Sequence, residues 1–175
     1  MTQTILVATD GSDGARSAVA LAGRLAGCLD ANLTVLHVLL HGNAAEQAGE
    51  LNEVERIVPH VSRAAMPRLA NVPATMGEVF SASQSAEETA RIVTVLGERI
   101  AENAALLAKQ SGAARVDTRV LGGDYAGTIL DTADDIGADM IVVGSRGLGR
   151  LRQLLVGSVS HKVQQYAKCT VVTVR

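Results

Sequence analysis

The sequence predicts an α/β fold in one domain, with five strands alternating with helices. Three observations carry this expectation. Short apolar runs recur along the chain, and between them apolar residues fall at helical spacing, the alternation that builds a layered α/β sheet. The first two runs, Ile5–Asp10 and Asn32–Leu40, flank a helical stretch, which implies parallel strands joined by a right-handed crossover. Finally, 175 residues with a 47% hydrophobic fraction but only 2% aromatics suit aliphatic side chains packed between helices and a parallel sheet. An aromatic-cored β-sandwich would need a different composition.

Taken in order, the first strand ends in Asp10-Gly11-Ser12, and Ser12 or Asp13 can cap the helix that follows. Ala18, Leu21, Ala22, Leu25 and Ala26 form its apolar face, with Arg16 and Arg24 off that face. After the second strand the alternation breaks. Residues 42–84 are too long for an ordinary connection and form an insertion, with Leu51, Val54 and Val58 spaced for one helical face and Pro59 interrupting it. Part of this insertion is expected to fold over the neighbouring ligand edge or an adjoining dimer surface as a mobile lid, or else to be a poorly ordered decoration. Ser85 and Glu88 then make a capping box for a long helix whose inward positions are Val93, Leu96, Ile100, Ala104 and Leu107. Gly97 lies inside this helix, where glycine costs about 1 kcal/mol relative to alanine.

Arg115–Leu121 alternates as a half-exposed strand should, and Gly122-Gly123-Asp124 turns into a helix over Tyr125–Ile136, with Asp124 as its cap. Met140–Val143 is a continuous apolar run into Gly144, the pattern of a strand buried on both faces. A Gly- and Arg-rich stretch follows, and Ser158 or Ser160 is placed to cap a helix through Ala167. Thr170–Val174 is the fifth strand.

The stretch from Gly144 to Ser160 carries the chemistry. Glycines admit a ligand close to the backbone, and the unpaired N–H groups at a helix N-terminus favour an anion. Arg146, Arg150 and Arg152 add positive charge, so a phosphate-bearing ligand is expected. The stretch lacks the Gly-Lys-Ser/Thr of a Walker loop, and its G-x-x-G-x-G order is not that of a dinucleotide fingerprint. Asp10 stands where open α/β sheets bind ligands, at the C-terminal end of a strand. By position alone it serves equally well as a turn residue.

The motifs Val7–Ser12 (Val-Ala-Thr-Asp-Gly-Ser), Leu36-His37-Val38, Gly123-Asp124, Gly144-x2-Gly147-x9-Gly157-Ser158 and Val171–Val174 occur in one order along the chain. In that order they resemble the universal stress proteins of the ATP-binding, UspA-like type. The likeness covers residues 1–41 and about 85–175. It implies an open five-stranded parallel sheet of order 3-2-1-4-5 with helices on both faces, a Rossmann-like or adenine nucleotide alpha hydrolase-like architecture. It also implies that Ala8, Thr9, Val38 and Val143 line a base pocket, that Asp10 accepts from adenine or ribose, and that Gly123 borders the ribose. Gly144, Gly147, Gly157, Ser158, Val159 and Ser160 would hold the phosphates, with Arg146 and Arg150 as further partners on charge. ATP, with magnesium or manganese on its phosphates, is the implied cofactor, and the last strand is the implied homodimer edge.

On this reading the chain is a cytoplasmic stress-response binding protein and not an enzyme, with ATP hydrolysis slow or absent. A net charge of −2 and few aromatics speak against a nucleic-acid partner. The chain has no apolar run near the ~18–20 residues of a membrane span, and Met1–Thr4 leads into a strand without a signal sequence. Cys28 and Cys169 are incidental thiols, and the four histidines show no metal-ligand spacing. His37 is expected as a core or edge residue of its strand. An ATP pyrophosphatase or adenylating enzyme of related fold is the alternative; it would want Ser-Gly-Gly after the first strand, where Thr9-Asp10-Gly11 stands. A dimeric adaptor that binds no nucleotide is the other.

Overall fold

The computed structural model describes residues 2–39, 86–145 and 157–175. The 42–84 insertion, Ser85 of the capping box, Arg146, Gly147 and Arg150 lie outside the described residues. The elements are β1 (Thr4–Ala8), α1 (Asp13–Leu29), β2 (Asn32–Leu39), α2 (Ala86–Gln110), β3 (Arg115–Gly122), α3 (Tyr125–Asp135), β4 (Met140–Gly144), α4 (Ser158–Tyr166) and β5 (Thr170–Val174). The five strands make one parallel sheet in the order β3-β2-β1-β4-β5.

Each face of the sheet carries its own core. Ile5, Val7, Leu33, Val35 and Val142 pack with the alanines of α1 and α2 on one side. Leu6, Leu36, Val38, Ile141 and Val143 pack with Ala126, Ile129 and Ala133 of α3 and Val163 of α4 on the other. Burial on both faces explains why β1 and β4 show unbroken apolar runs. β3, an edge strand, has no fully buried residue, and the expected alternation breaks at Thr118, which is exposed while Arg119 and Val120 are both half-buried.

The packing of α2 departs from expectation. Of the expected inward positions, Ala104 is buried and Leu107 packs against the core half-buried, while Val93, Leu96 and Ile100 are only half-buried. Ala101, Ala105 and Ala108 fill the core beside Ala104. The reason is the closeness of α1. A Cβ at Gly23 would stand 2.5 Å from the Ala108 carbonyl oxygen, and one at Gly27 would stand 2.5 Å from that of Gly112. Backbones this near leave room for alanine but not for leucine at the seam. Gly97 has a similar role toward the sheet. A Cβ there would meet Leu39 Cδ2 at 2.4 Å and the His37 ring at 3.0 Å, so any larger residue would have to displace these two side chains.

Candidate functional site at the C-terminal edge of the sheet

In a parallel sheet every strand delivers its C-terminal end to the same edge. Here β1, β3 and β4 each lead into a helix whose N-terminus faces that edge. Two of these helices are closed by side chains. Ser12 caps α1, its Oγ accepting from Ala15 N–H at 3.2 Å. Asp124 caps α3, its carboxylate accepting from Gly127 N–H at 2.9 Å. The third is not. The N-cap of α4 is Gly157, which has no side chain to offer.

This corrects the expected start of α4. Ser158 is the first helical residue rather than its cap, and the Ser160 hydroxyl points inward. That hydroxyl donates to the carbonyls of Gly157 at 3.0 Å and Ser145 at 3.3 Å, and the residue is buried. The first backbone bond of the helix runs from His161 N–H to the Gly157 carbonyl at 3.0 Å. The N–H groups of Ser158, Val159 and Ser160 therefore precede the helix's own ladder, at the positive end of its dipole. Ser160 can serve an anion through its N–H but not through its hydroxyl.

Ser145 sets this geometry, and sequence reasoning missed it. Its N–H donates to the Val174 carbonyl at 2.6 Å, and its own carbonyl accepts from Gly157 N–H at 2.7 Å. The start of α4 is thereby tied directly to the end of β4. No sequence signal marks that serine beyond its place after the strand glycine.

The apolar candidates come together beside this helix end. Ala8, Val38 and Val143, at the ends of β1, β2 and β4, share one cluster with Tyr125 and Val159. Thr9, a buried polar residue, follows Ala8 directly. Its hydroxyl accepts from Gly11 N–H at 3.2 Å and its carbonyl takes a hydrogen bond from His37 Nδ1 at 2.8 Å. Asp10 Oδ1 accepts from Ser12 N–H at 3.0 Å, so this carboxylate also shapes the turn. Gly123 sits at φ +149°, where a Cβ would stand 2.5 Å from Thr128 Oγ1, and its N–H reaches the Leu39 carbonyl at 3.4 Å. Glycine at 123 thus lets β3 turn sharply into α3 beside the end of β2.

The family model of the universal stress protein family matches residues 1–175. The chain belongs to the universal stress protein family. The Bacillus subtilis universal stress protein YxiE is 34% identical over 175 residues, covering all of both chains. A crystal structure of a universal stress protein in complex with cAMP aligns with a TM-score of 0.60 at 24% identity, covering 99% of this chain and 97% of that one. The Archaeoglobus fulgidus universal stress protein in complex with dAMP aligns at 0.60 and 19% identity, covering 99% and 98%. These structural likenesses establish the adenine nucleotide alpha hydrolase-like fold.

Within this universal stress protein fold the electrostatics of the edge are mild. Burial holds the His37 imidazole below its ordinary pKa, opposed by the hydrogen bond to Thr9 and the charge of Asp10. Since a carbonyl can only accept, the Nδ1 of the neutral ring carries the proton. Away from the edge, burial raises the Cys169 thiol, helped by Asp134 and Asp139, which makes it a poor nucleophile. Among the described residues no cluster of His, Cys, Asp and Glu could hold a metal ion, and no helix is long and apolar enough to cross a membrane.

Proposed function

We propose that this universal stress protein binds ATP at the C-terminal edge of its sheet and acts as a nucleotide-dependent regulator of the stress response in the cytoplasm. The observation that carries the reading is the start of α4. It is a helix N-terminus without a side-chain cap, tied by Gly157 N–H to Ser145 beside an apolar floor of Ala8, Val38 and Val143. N–H groups at a helix N-terminus suit phosphate, and an apolar floor at the strand ends suits a purine base. The cAMP and dAMP complexes of the two structural neighbours support an adenine nucleotide as the ligand class. Asp10 and Gly123 would border the sugar, with Gly144, Gly157, Ser158, Val159 and Ser160 toward the phosphates. Arg146 and Gly147 belong to the proposed set by motif. A magnesium or manganese ion would be carried by the phosphates.

Binding rather than turnover is the proposed activity. His37 and Asp10 are both engaged in holding the β1–α1 turn, and neither is arranged as a general base for water. Calorimetric titration with ATP, cAMP and GTP tests the reading: saturable binding of the adenine nucleotides is expected, with GTP weaker. Absence of adenine nucleotide binding would refute it. So would steady hydrolysis at the ~1–10³ per second of ordinary enzymes.

The same reading includes a homodimer through β5. Thr170 N–H and the Val174 carbonyl point toward β4, so the backbone groups of Val171 and Thr173 point outward along an open edge. Two-fold pairing of this strand with its copy would close that edge. Thr173→Pro removes an outward N–H while leaving the bonds to β4 in place. It is expected to give a monomer in sedimentation equilibrium, with an unchanged circular dichroism spectrum. A variant that stays dimeric places the interface elsewhere.

A further inference from the structure

His37 stands at an odd place for a polar ring. In β2 its neighbours on the same face, Leu33 and Val35, are fully buried in the core beneath α1 and α2. β1 ends at Ala8, so the Thr9 carbonyl lies past the last paired residue of that strand. The backbone of β2 still supplies one bond there, Leu36 carbonyl accepting from Thr9 N–H at 2.9 Å. The imidazole supplies the next, Nδ1–H donating to the Thr9 carbonyl at 2.8 Å. Space for the ring comes from Gly97 of α2, where a Cβ would approach His37 Cδ2 to 3.0 Å and Nε2 to 3.4 Å.

We propose that His37 is a positioning residue for the nucleotide site. Its ring extends the β1–β2 pairing by one hydrogen bond and so holds the turn that presents Asp10. Three bonds then act in series: His37 to Thr9, Gly11 N–H to Thr9 Oγ1 at 3.2 Å, and Ser12 N–H to Asp10 Oδ1 at 3.0 Å. With the Thr9 carbonyl fixed, the peptide after it has one orientation, and the carboxylate of Asp10 is aimed from a rigid base. Without the donor, the carbonyl must turn toward water and carry the turn with it. The inference rests on the adenine-nucleotide reading for what Asp10 faces, but the ordering of the turn stands apart from it.

The test uses three variants. His37→Leu keeps apolar bulk without a donor, and His37→Gln places its amide nitrogen near the position of Nε2 rather than Nδ1. His37→Asn places an amide N–H near the position of Nδ1. ATP affinity is expected to fall about tenfold in the Leu and Gln variants, the worth of one hydrogen bond, and to stay within about threefold in the Asn variant. Amide exchange at Gly11 and Ser12, measured by NMR without nucleotide, should quicken in the first two and recover in the third. Exchange at Ala22 and Ala26 should not move, which a general loss of stability would not allow. Wild-type amide protection at Gly11 and Ser12 in both donor-less variants overturns the inference, as does an Asn variant no better than Leu. A wild-type protein that binds no adenine nucleotide would sink the functional reading while leaving the exchange result to decide the role of His37.

Discussion

Gly157→Glu is expected to abolish nucleotide binding while leaving the fold as stable as before. The residue adopts φ −71° and ψ 154°, a conformation open to any amino acid, so the substitution introduces no backbone strain. A carboxylate at a helix N-cap is favourable, worth about 0.3–1 kcal/mol through the helix dipole. The same carboxylate occupies the position proposed for phosphate and repels it. Affinity for ATP should drop at least about 100-fold, equivalent to about 2.7 kcal/mol, while the urea midpoint stays level or rises slightly. Gly157→Ala separates charge from bulk and should retain binding within a few-fold. Wild-type affinity in the Glu variant would move the phosphates away from α4.

Gly23→Ala tests the seam between α1 and α2, and here the sign of the effect is informative. In an isolated helix, replacing an interior glycine by alanine stabilises by about 1 kcal/mol. In this protein the new methyl would stand 2.5 Å from the Ala108 carbonyl oxygen and 2.8 Å from Ser111 Cβ. Backbone atoms cannot swing aside, so α2 must shift and the alanines behind it lose their packing. A net destabilisation of about 2–3 kcal/mol is expected, read as a lower denaturant midpoint at constant slope. A stabilised variant would mean that the two helices stand farther apart in solution. The proposed nucleotide site lies at the other end of α1, and its affinity should be unaffected in the folded protein.

Much of the architecture was legible because it depends on local pattern. The run Met140–Val143 announced a strand covered on both faces, and β4 is buried as that pattern requires. Asp124 was recognisable as a cap because its side chain needs only the N–H groups of the next turn. The five strands, their parallel sense and the helices between them follow from alternation and connection length. The strand order came from the family likeness instead. Connection length alone does not say on which side of β1 a later strand will lie.

The start of α4 shows where local pattern fails. Serine is the commonest of caps, and Ser158 and Ser160 both qualify by type. Which residue begins the helix is decided by the hydrogen bond from Gly157 N–H to Ser145, a contact between the two ends of a long excursion. Once that bond is made, Ser160 is turned under the helix and only a glycine remains at the cap. Gly97 and His37 tell the same story across elements. Alone, the glycine is a weak point in a helix and the histidine an oddity in a strand; packed together, one makes room for the other beside the Thr9 carbonyl. The sequence by itself determined which segments become strands and helices, because periodicity acts over a few residues. Tertiary structure alone decided which residue begins α4 and which glycines stand at close approaches. Those outcomes depend on atoms brought within about 3 Å by chain segments far apart in sequence, where a single Cβ or one backbone carbonyl settles the arrangement.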